Sequence, residues 1–578
     1  MRISCRSPLK QHLLLICTIV LSILTPLQAA PLDRLDRGTV VLNRPEGGVY
    51  IGWRLLDRDS KDVAFDVLRS ENQNGPWEKI NKSPIRDSSN YIDTDVPKGA
   101  WYRVISDSPS DSIHSSAVQV PPADQVGCLT IPLRGDYVFS KLGMADLNGD
   151  GRFDFVIKQP YQVTDPGVWR KSIDTFKIEA YLHDGTFLWR HDLGWNIEQG
   201  VWYSPMIVCD LDHDGKAEVA FRGAPADRDY RDEAGHVLTG PEYCTVLDGM
   251  TGKEIDHVDW PARGDIADWG DNGGNRASRH LIGAACLDGK RLSLLAMRGT
   301  YTKMLIDAYN LVDGKLEKVW SWNGDDETPP VRGQGMHGFH AADIDEDGRD
   351  ELLIGGAVVD ETGKIRWNTH LGHPDACYVS DIDPTRPGME IMYGIEPARE
   401  KNAICLADAR TGEIIWGIDF PTTHVHGAGI YGDFVPANPG PEFYGGEKKA
   451  PDRWLYSVWD GKLLSQDNLG PLSQPTVYWD DSLTKVIAAR DGRLHEYKGK
   501  TLTEFKGRVI GMGDILGDWR EEIITSVPGE LRIYSTTIPA QSRRVTFMED
   551  RLYRMDVMMQ SMGYFFPPQT SYYVGIKR

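Results

Sequence analysis

The chain has 578 residues, of which 40% are hydrophobic, and it carries a formal net charge of −20. This acidity disfavours nucleic acid and anionic membrane surfaces as partners. The length exceeds that of an ordinary single domain, although one large β-repeat domain can take most of it.

Residues 1–30 have the layout of a secretory signal peptide. Three basic residues, Arg2, Arg6 and Lys10, precede an apolar run over residues 13–24, and Ala29 and Ala30 close the segment. This order of charge, apolar run and small residues is typical of export signals, and the run is too short to span a bilayer comfortably. We therefore expect a secreted or periplasmic protein that is not inserted in a membrane.

Residues 31–122 are predicted to form a separate module. Short alternating strands with polar turns between them occur at VYIGWRLL, AFDVLRS, NYIDTDV and WYRVIS, and the segment ends in the proline-containing QVPPADQ. This pattern indicates a small β-sandwich of the fibronectin type III kind.

An acidic motif then recurs along the chain. It reads DLNGDGRFD from Asp146, DLDHDGKAE from Asp210 and DIDEDGRDE from Asp343, with a longer variant, DIDPTRPGME, from Asp381. Oxygen-bearing side chains fall at offsets 0, 2, 4 and 8 in the first three copies, and a glycine at offset 5 permits the sharp turn that a calcium loop requires. An EF-hand is disfavoured, because strand-like segments and not helices flank the loops.

We predict structural Ca²⁺ ions at these loops. The predicted ligands are Asp146, Asn148, Asp150 and Asp154 in the first loop, Asp210, Asp212, Asp214 and Glu218 in the second, Asp343, Asp345, Asp347 and Glu351 in the third, and Asp381, Asp383 and Glu390 in the variant. The copies at Asp433 and Asp514 are more typical of β-turns without metal.

Hairpin turns interleave with the acidic loops. Examples are HDGTFLW, LVDGKLEKVW and ADARTGEIIW, each with a turn between two strand-like runs. Together with the loops they give eight repeat units from Cys128 onward, which predicts an all-β fold with an eight-bladed β-propeller over residues 123–578. Seven blades is the alternative. The six cysteines after the signal mostly lie in apolar strands, so we expect mostly buried thiols.

Many strings across the mature chain resemble the bacterial rhamnogalacturonan lyases. They include RLDRGTVVL, VLTGPEY, WGDNGGNR, MRGTYTK, GQGMHG, LGHPDA, DPTRPGMEI and ILGDWREE, in this order. The resemblance implies a fibronectin-like domain, a catalytic eight-bladed propeller, several structural calcium ions and β-elimination between galacturonate and rhamnose.

Such an elimination needs the uronate carboxylate neutralised, a base at the C5 proton and assistance to the O4 leaving group. The resemblance places Lys506 where the family has a lysine thought to act in catalysis. It also places His337, His373 and Asp375 in the cleft, and Lys158 after the first acidic loop. Arg222 is a further candidate for binding a carboxylate, and Glu396 for binding substrate.

Other positions depart from the family pattern. Ala428 stands where a catalytic arginine is usual, Gln159 and Pro160 replace a Trp-Asp-Pro run, and Ser140 and Ser561 replace asparagines. These changes disfavour a catalytic calcium ion at the uronate.

Beside Ala428 lie His424 and His426, which would share a face of a strand. Either is a candidate base near neutral pH, with Tyr203 or Tyr431 as proton donor. The two histidines are alternatively half of a zinc site, sugar ligands or plain loop residues. A lysine-based and a histidine-based mechanism both stay open.

The sequence therefore predicts a monomeric, exported polysaccharide lyase that acts on rhamnogalacturonan I. The alternatives are a glycoside hydrolase or a lyase for another uronate polysaccharide that uses the histidines, and a carbohydrate-binding propeller without catalysis.

Overall fold

The computed structural model describes residues 34–107, 115–162, 165–449 and 451–575. The predicted signal peptide lies outside these residues. Among the residues described, no helix combines the length and the apolar character needed to cross a membrane.

The first seven strands form a two-sheet sandwich, as predicted. They are β1 (Val40–Asn43), β2 (Val49–Gly52), β3 (Phe65–Ser70), β4 (Glu78–Lys79), β5 (Asn90–Asp93), β6 (Trp101–Ser106) and β7 (Val118–Gln119). One sheet has the order β1-β2-β5 and the other β4-β3-β6-β7. Ile51 and Trp53 from the first sheet pack against Phe65, Val67 and Tyr102 from the second, so the alternating apolar residues face a common core.

Eight four-stranded antiparallel sheets follow in the described part of the chain. Blades 1 to 4 contain β9 (Lys141–Ala145), β10 (Asp154–Gln159), β11 (Lys177–Tyr181) and β12 (Phe187–Asp192); β13 (Met206–Cys209), β14 (Glu218–Gly223), β15 (Tyr243–Asp248) and β16 (Glu254–Asp259); β17 (His280–Ala285), β18 (Ser293–Arg298), β19 (Leu305–Val312) and β20 (Lys315–Asn323); and β21 (Gly335–Ala342), β22 (Glu351–Gly355), β23 (Ala357–Val359) and β24 (Ile365–Asn368).

Blades 5 to 8 contain β25 (Pro374–Ser380), β26 (Glu390–Ile395), β27 (Ile404–Asp408) and β28 (Ile414–Gly417); β29 (Ile430–Gly432), β30 (Glu442–Gly446), β31 (Arg453–Ser457) and β32 (Leu463–Ser465); β33 (Thr476–Val477), β34 (Val486–Ala488), β35 (Arg493–His495) and β36 (Thr501–Glu504); and β37 (Arg508–Gly513), β38 (Glu522–Val527) and β39 (Glu530–Tyr534) with β8 (Cys128–Pro132). Short 3₁₀ helices span Pro166–Val168, Ile266–Trp269, Gly324–Asp326 and Phe547–Glu549.

The ring closes through β8, which comes from the start of the propeller segment. It pairs antiparallel with β39, with Cys128 opposite Tyr534, and so completes blade 8 from the other end of the chain. The first strand of blade 8, β37, contacts the first strand of blade 1, β9. This closure confirms eight blades over seven. The six cysteines of the described segment lie as buried thiols and not as disulfides, as the sequence predicted.

An α-helix, α1 (Arg551–Met559), occupies the axis of the ring. It begins at Asp550, whose carboxylate accepts a hydrogen bond from the Tyr553 backbone N–H. The helix contacts the first strands of blades 1, 2, 3, 4 and 8. At its centre, Asp556 Oδ1 lies 2.7 Å from His340 Nδ1 on β21, and both side chains are buried. The sequence analysis, which predicted only β-structure, did not anticipate this helix.

The two faces of the ring differ in chemistry. In each blade the acidic loop or its equivalent joins the first strand to the second, so these loops share one face. The residues that precede the first strands lie at the opposite face, where all the cleft residues predicted from the sequence are found.

Candidate active site

The closing acid of every acidic loop serves first as a backbone anchor. Glu218 Oε2 accepts the Leu211 N–H at 2.8 Å, and Glu351 Oε2 accepts the Ile344 N–H at 3.0 Å. Four further closing residues make the same contact with the residue after the first aspartate: Asp154, Glu390, Glu442 and Glu522. Part of the repeated pattern therefore reflects loop geometry that does not depend on metal.

Two of the predicted calcium loops gather three carboxylates each. The ligand atoms of Asp210, Asp212 and Glu218 lie within 4.8 Å of one another, as do those of Asp343, Asp345 and Asp347. Burial, with the neighbouring aspartates of each loop, raises the pKa of Glu218 to about 9 and that of Glu351, which closes the third loop, to about 8. Crowded carboxylates of this kind fit a hard divalent cation, which would keep them ionised.

The third loop shows most directly that the carboxylates suit a bound cation. Asp345 Oδ1 is a buried oxygen without a hydrogen-bond partner, although Arg366 lies 2.8 Å from the other oxygen of this carboxylate and 3.1 Å from Glu351. In the first loop, Asp146 instead accepts the backbone N–H groups of Gly149 and Gly151.

The variant loop and the two copies predicted to lack metal have protein partners. Asp383 accepts the Thr385 hydroxyl at 2.7 Å. Asp514 accepts the Thr546 hydroxyl and the Phe547 N–H, each at 2.7 Å, while Asp433 accepts the Tyr573 hydroxyl at 3.1 Å. Protein donors therefore reach one carboxylate oxygen of each of these aspartates, whereas Asp514 Oδ1 is a buried oxygen without a hydrogen-bond partner.

Four histidines and two carboxylates converge at the opposite face, and we call them the histidine–carboxylate cluster. They come from blades 4, 5 and 6: His337 lies on β21, His373 and Asp375 at the start of β25, Glu396 just after β26, and His424 and His426 before β29. All six were predicted as site residues, and the fold brings them together across 90 positions of sequence.

Asp375 lies at the centre of the cluster. Its Oδ1 is 3.3 Å from His337 Nε2 and 3.6 Å from His373 Nε2, and its Oδ2 is 3.1 Å from His426 Nδ1. The backbone N–H of Gly427 also donates to Oδ2, at 2.8 Å. Burial alone would raise the pKa of Asp375, but the adjacent imidazoles of His337, His373 and His426 hold it well below its usual range.

Glu396 makes a second link between the histidines. Its Oε2 lies 3.2 Å from His373 Nε2, and its Oε1 lies 3.3 Å from His424 Nε2. His373 Nδ1 donates to the carbonyl oxygen of Gly335, and this contact orients Nε2 toward the cluster. Burial and the adjacent His373 lower the pKa of His337 to about 4, so its imidazole is neutral near pH 7. His337, His373 and Asp375 could accordingly hold a metal ion.

Aromatic and charged residues that the sequence analysis did not single out border the cluster. The Tyr301 hydroxyl lies 3.2 Å from His337 Nε2, and the ring of Tyr564 packs edge-on against His337 at 4.7 Å. Arg279 forms a two-point ion pair with Asp165, at 2.8 and 2.9 Å. Tyr301 lies in the MRGTYTK string that carried the resemblance, which was the available signal.

The remaining predicted site residues lie outside the cluster. Lys506 precedes β37 at the same face, and its side chain is exposed. Lys158 is buried at the end of β10, where its Nζ donates to the Ser204 carbonyl oxygen at 2.5 Å, and burial lowers its pKa to about 7.

Arg222 and Tyr203 are engaged within the protein. The Arg222 guanidinium is buried, pairs with Glu242 and donates to the Tyr203 carbonyl oxygen. Binding of a uronate by Arg222 would first require this pair to break. The Tyr203 side chain is also buried, which raises its pKa.

Comparison with known proteins identifies the family. Residues 133–577 match the model for rhamnogalacturonan lyase family 11, C-terminal domain, and residues 30–118 match the rhamnogalacturonan I lyases beta-sheet domain. The chain is 36% identical to rhamnogalacturonan endolyase YesW of Bacillus subtilis, over 95% of this chain and 92% of that protein.

Solved structures agree with this match. The exotype rhamnogalacturonan lyase YesX, also from Bacillus subtilis, superposes with a TM-score of 0.87 at 32% identity and covers 95% of this chain and 98% of its own. The Bacillus licheniformis rhamnogalacturonan lyase PL11 gives a TM-score of 0.84 at 32% identity, over 94% and 97% of the two chains. The chain described here therefore belongs to rhamnogalacturonan lyase family 11.

Proposed function

We propose that this protein is an exported polysaccharide lyase that cleaves rhamnogalacturonan I between galacturonate and rhamnose by β-elimination. Family membership supports the reaction class, since its relatives YesW and YesX are a rhamnogalacturonan endolyase and exolyase. The histidine–carboxylate cluster carries the proposal for this chain, because it concentrates six ionisable side chains at the open face of the propeller.

Lys506 is the base in this proposal. Each of the four histidines turns a ring nitrogen toward Asp375 or Glu396, whereas the side chain of Lys506 is exposed at the same face. A lysine amine can act as the general base that accepts the C5 proton, while the Tyr301 hydroxyl and the imidazoles of the cluster offer polar contacts to the uronate.

We also propose that calcium ions bind to the acidic loops and stabilise the structure. Asp210, Asp212 and Glu218 would hold one ion, and Asp343, Asp345 and Asp347 another. When bound, calcium neutralises the crowded carboxylates and fixes the loops between the first two strands of blades 2 and 4. Export through the segment 1–30 and a monomeric state are further parts of the proposal.

The test is ultraviolet absorbance of the protein incubated with rhamnogalacturonan I, because elimination leaves a double bond conjugated with the uronate carboxylate. We expect absorbance to rise, and Lys506→Ala to lower kcat by roughly 10²–10⁴-fold. Lys500→Ala, at the exposed Lys500 in blade 7, is the matched control and should retain the wild-type rate.

Three results would count against the proposal. New reducing ends without absorbance would identify a hydrolase, and binding without cleavage a carbohydrate-binding propeller. Full activity in Lys506→Ala, together with loss of activity in His426→Ala, would identify the histidine pair and not Lys506 as the base.

A further inference from the structure

We propose that Asp375, His424 and His426 bind a divalent transition-metal ion of the zinc class, at the mouth of the cluster beside Ala428. The ligand atoms of these three side chains lie within 4.8 Å of one another. This is a site separate from the calcium loops, which lie on the opposite face of the ring.

The spacing of the donor atoms matches tetrahedral coordination. Zinc binds imidazole nitrogen at about 2.0 Å, so adjacent ligand atoms in a tetrahedral site lie about 3.3 Å apart. His426 Nδ1 lies 3.1 Å from Asp375 Oδ2, and His424 Nε2 lies 3.3 Å from Glu396 Oε1. Glu396 is thus placed as a partner that orients His424.

The two imidazole nitrogens are available for coordination. His424 Nε2 and His426 Nδ1 are buried atoms whose nearest polar neighbours are the carboxylate oxygens of Glu396 and Asp375, and neither contact has hydrogen-bond geometry, although the two side chains as wholes are 24% and 43% exposed. Buried nitrogens of this kind are costly unless a proton donor or a metal ion engages them. The exposed parts of the rings leave room for an open coordination position toward the cleft.

The backbone holds this segment in place independently of a metal ion. Glu447 accepts the N–H groups of Thr423 and His424, at 2.7 and 2.8 Å, and the N–H of His426 donates to Gly446 at 3.0 Å. Gly427 has a φ of 77°, which turns its own N–H to Asp375. The ligands are therefore preorganised, which lowers the cost of binding.

The donor set separates this site from its neighbours. Imidazole nitrogen favours zinc, copper, nickel and iron, whereas the oxygen donors of the acidic loops favour calcium. The adjacent pair His337 and His373 lies deeper, with 4% and 2% exposure, and is joined to the proposed site through Asp375 and Glu396.

A cation here would lie next to Ala428 and supply positive charge toward the cleft. A role of this cation in neutralising a uronate carboxylate rests on the proposed lyase function. The binding of the ion does not depend on that function, so the metal content of the protein tests the site independently of activity.

The experiment strips the full-length protein with chelator, re-equilibrates it with Zn²⁺ alone and measures bound zinc by mass spectrometry of the metal. The double variant His424→Ala/His426→Ala is compared with wild type and with His257→Ala, an exposed histidine on β16 that lies beside Glu254. We expect one zinc fewer per chain in the double variant, or at least 100-fold weaker binding, and no change in His257→Ala. Far-ultraviolet circular dichroism checks that each variant is folded.

Equal zinc content in wild type and the double variant would overturn the proposal. So would zinc that is lost in His337→Ala but retained in the double variant, because the ion would then lie on the deeper pair. A Co²⁺-loaded sample adds a spectroscopic reading: visible bands of tetrahedral nitrogen coordination should be present in wild type and absent from the double variant. Zinc binding without lyase activity would refute the proposed function and leave this site standing.

Discussion

The chemistry of a side chain in this protein depends more on its surroundings than on its residue type. Lys158 and Lys506 were both predicted at the site, yet one is buried against the Ser204 carbonyl oxygen and the other is exposed. Burial penalises the charged form of a lysine and lowers its pKa. The same residue type therefore has different chemistry at the two positions.

Lys158→Met should stabilise the protein below pH 7 and weaken the dependence of its stability on pH. The pKa of Lys158 is about 7 when folded and near 10.4 when unfolded, so the unfolded chain binds more protons between these values. Stability consequently rises with pH across that window, and removal of the amine should abolish this contribution. We expect a gain of roughly 2–4 kcal/mol at pH 6, measured by urea denaturation at pH 6, 7.5 and 9.

The exposed Lys500→Met is the control for this series. Because Lys141 is also buried and its pKa is likewise lowered to about 7, some pH dependence should persist in Lys158→Met. An unchanged slope of stability against pH would contradict the account.

At the scale of the element, the acidic loop combines two functions in one sequence pattern. Its closing acid anchors the loop backbone in six copies, and in two copies the carboxylates also gather closely enough for a cation. The pattern alone could not separate these roles, because both use the same residues at the same offsets.

Calcium removal should make the protein progressively less stable as pH rises. Without a cation, the folded-state pKa values of Glu218 and Glu351 are about 9 and 8, above the value of about 4.3 for an unfolded glutamate. The folded protein then binds more protons, and its stability falls from pH 5 toward pH 9. Thermal melting with chelator should show Tm falling over this range, with a deficit of at least about 5 °C at pH 8 relative to excess calcium.

The variant Glu218→Gln tests the origin of this effect. Glutamine does not titrate but retains an oxygen that can accept the Leu211 N–H. In the presence of chelator, the Tm of the variant should therefore fall less between pH 5 and pH 8 than the Tm of the wild type. Identical melting curves with calcium and with chelator at pH 8 would refute structural calcium at these loops.

At the scale of the whole molecule, two contacts between distant parts of the chain complete the propeller. Strand β8 closes blade 8 from the N-terminal side, and α1 fills the axis. The helix is tied to the ring by the buried pair His340–Asp556, where the imidazole also lies 3.0 Å from the Cys377 carbonyl oxygen.

Asp556→Asn should loosen this axial contact more at low pH than at high pH. Burial lowers the pKa of His340, but Asp556 outweighs it, so the pKa is raised overall. The stabilisation is fully present below the unfolded value near 6.5 and is lost as pH rises through the folded value. We expect a loss of about 3 kcal/mol at pH 6 and a smaller loss at pH 9, by urea denaturation.

The exposed Asp229→Asn, which affects only a surface pair with Arg231, is the matched control. An equal loss at both pH values would show that Asp556 acts through its backbone contact to Gln569 and not through the histidine.

The sequence by itself determined the repeat, the acidic loops and the two-module order, and it favoured eight blades over seven. Each of these follows from local patterns: strand alternation, turn residues and fixed offsets within ten residues of one another. It also supplied the six residues of the cluster. The resemblance indicated His337, His373 and Asp375, Glu396 was a further candidate for binding substrate, and His424 and His426 were noted beside the departure at Ala428.

Only the tertiary structure decided which residues act together. His337, Glu396 and His426 meet because the first strands of neighbouring blades bring their starting ends to one face of the ring. The same winding buried Lys158, paired Arg222 with Glu242, placed Tyr301 and Arg279 beside the cluster and put a helix on the axis. Contacts of this kind join residues tens to hundreds of positions apart, and no local periodicity encodes them.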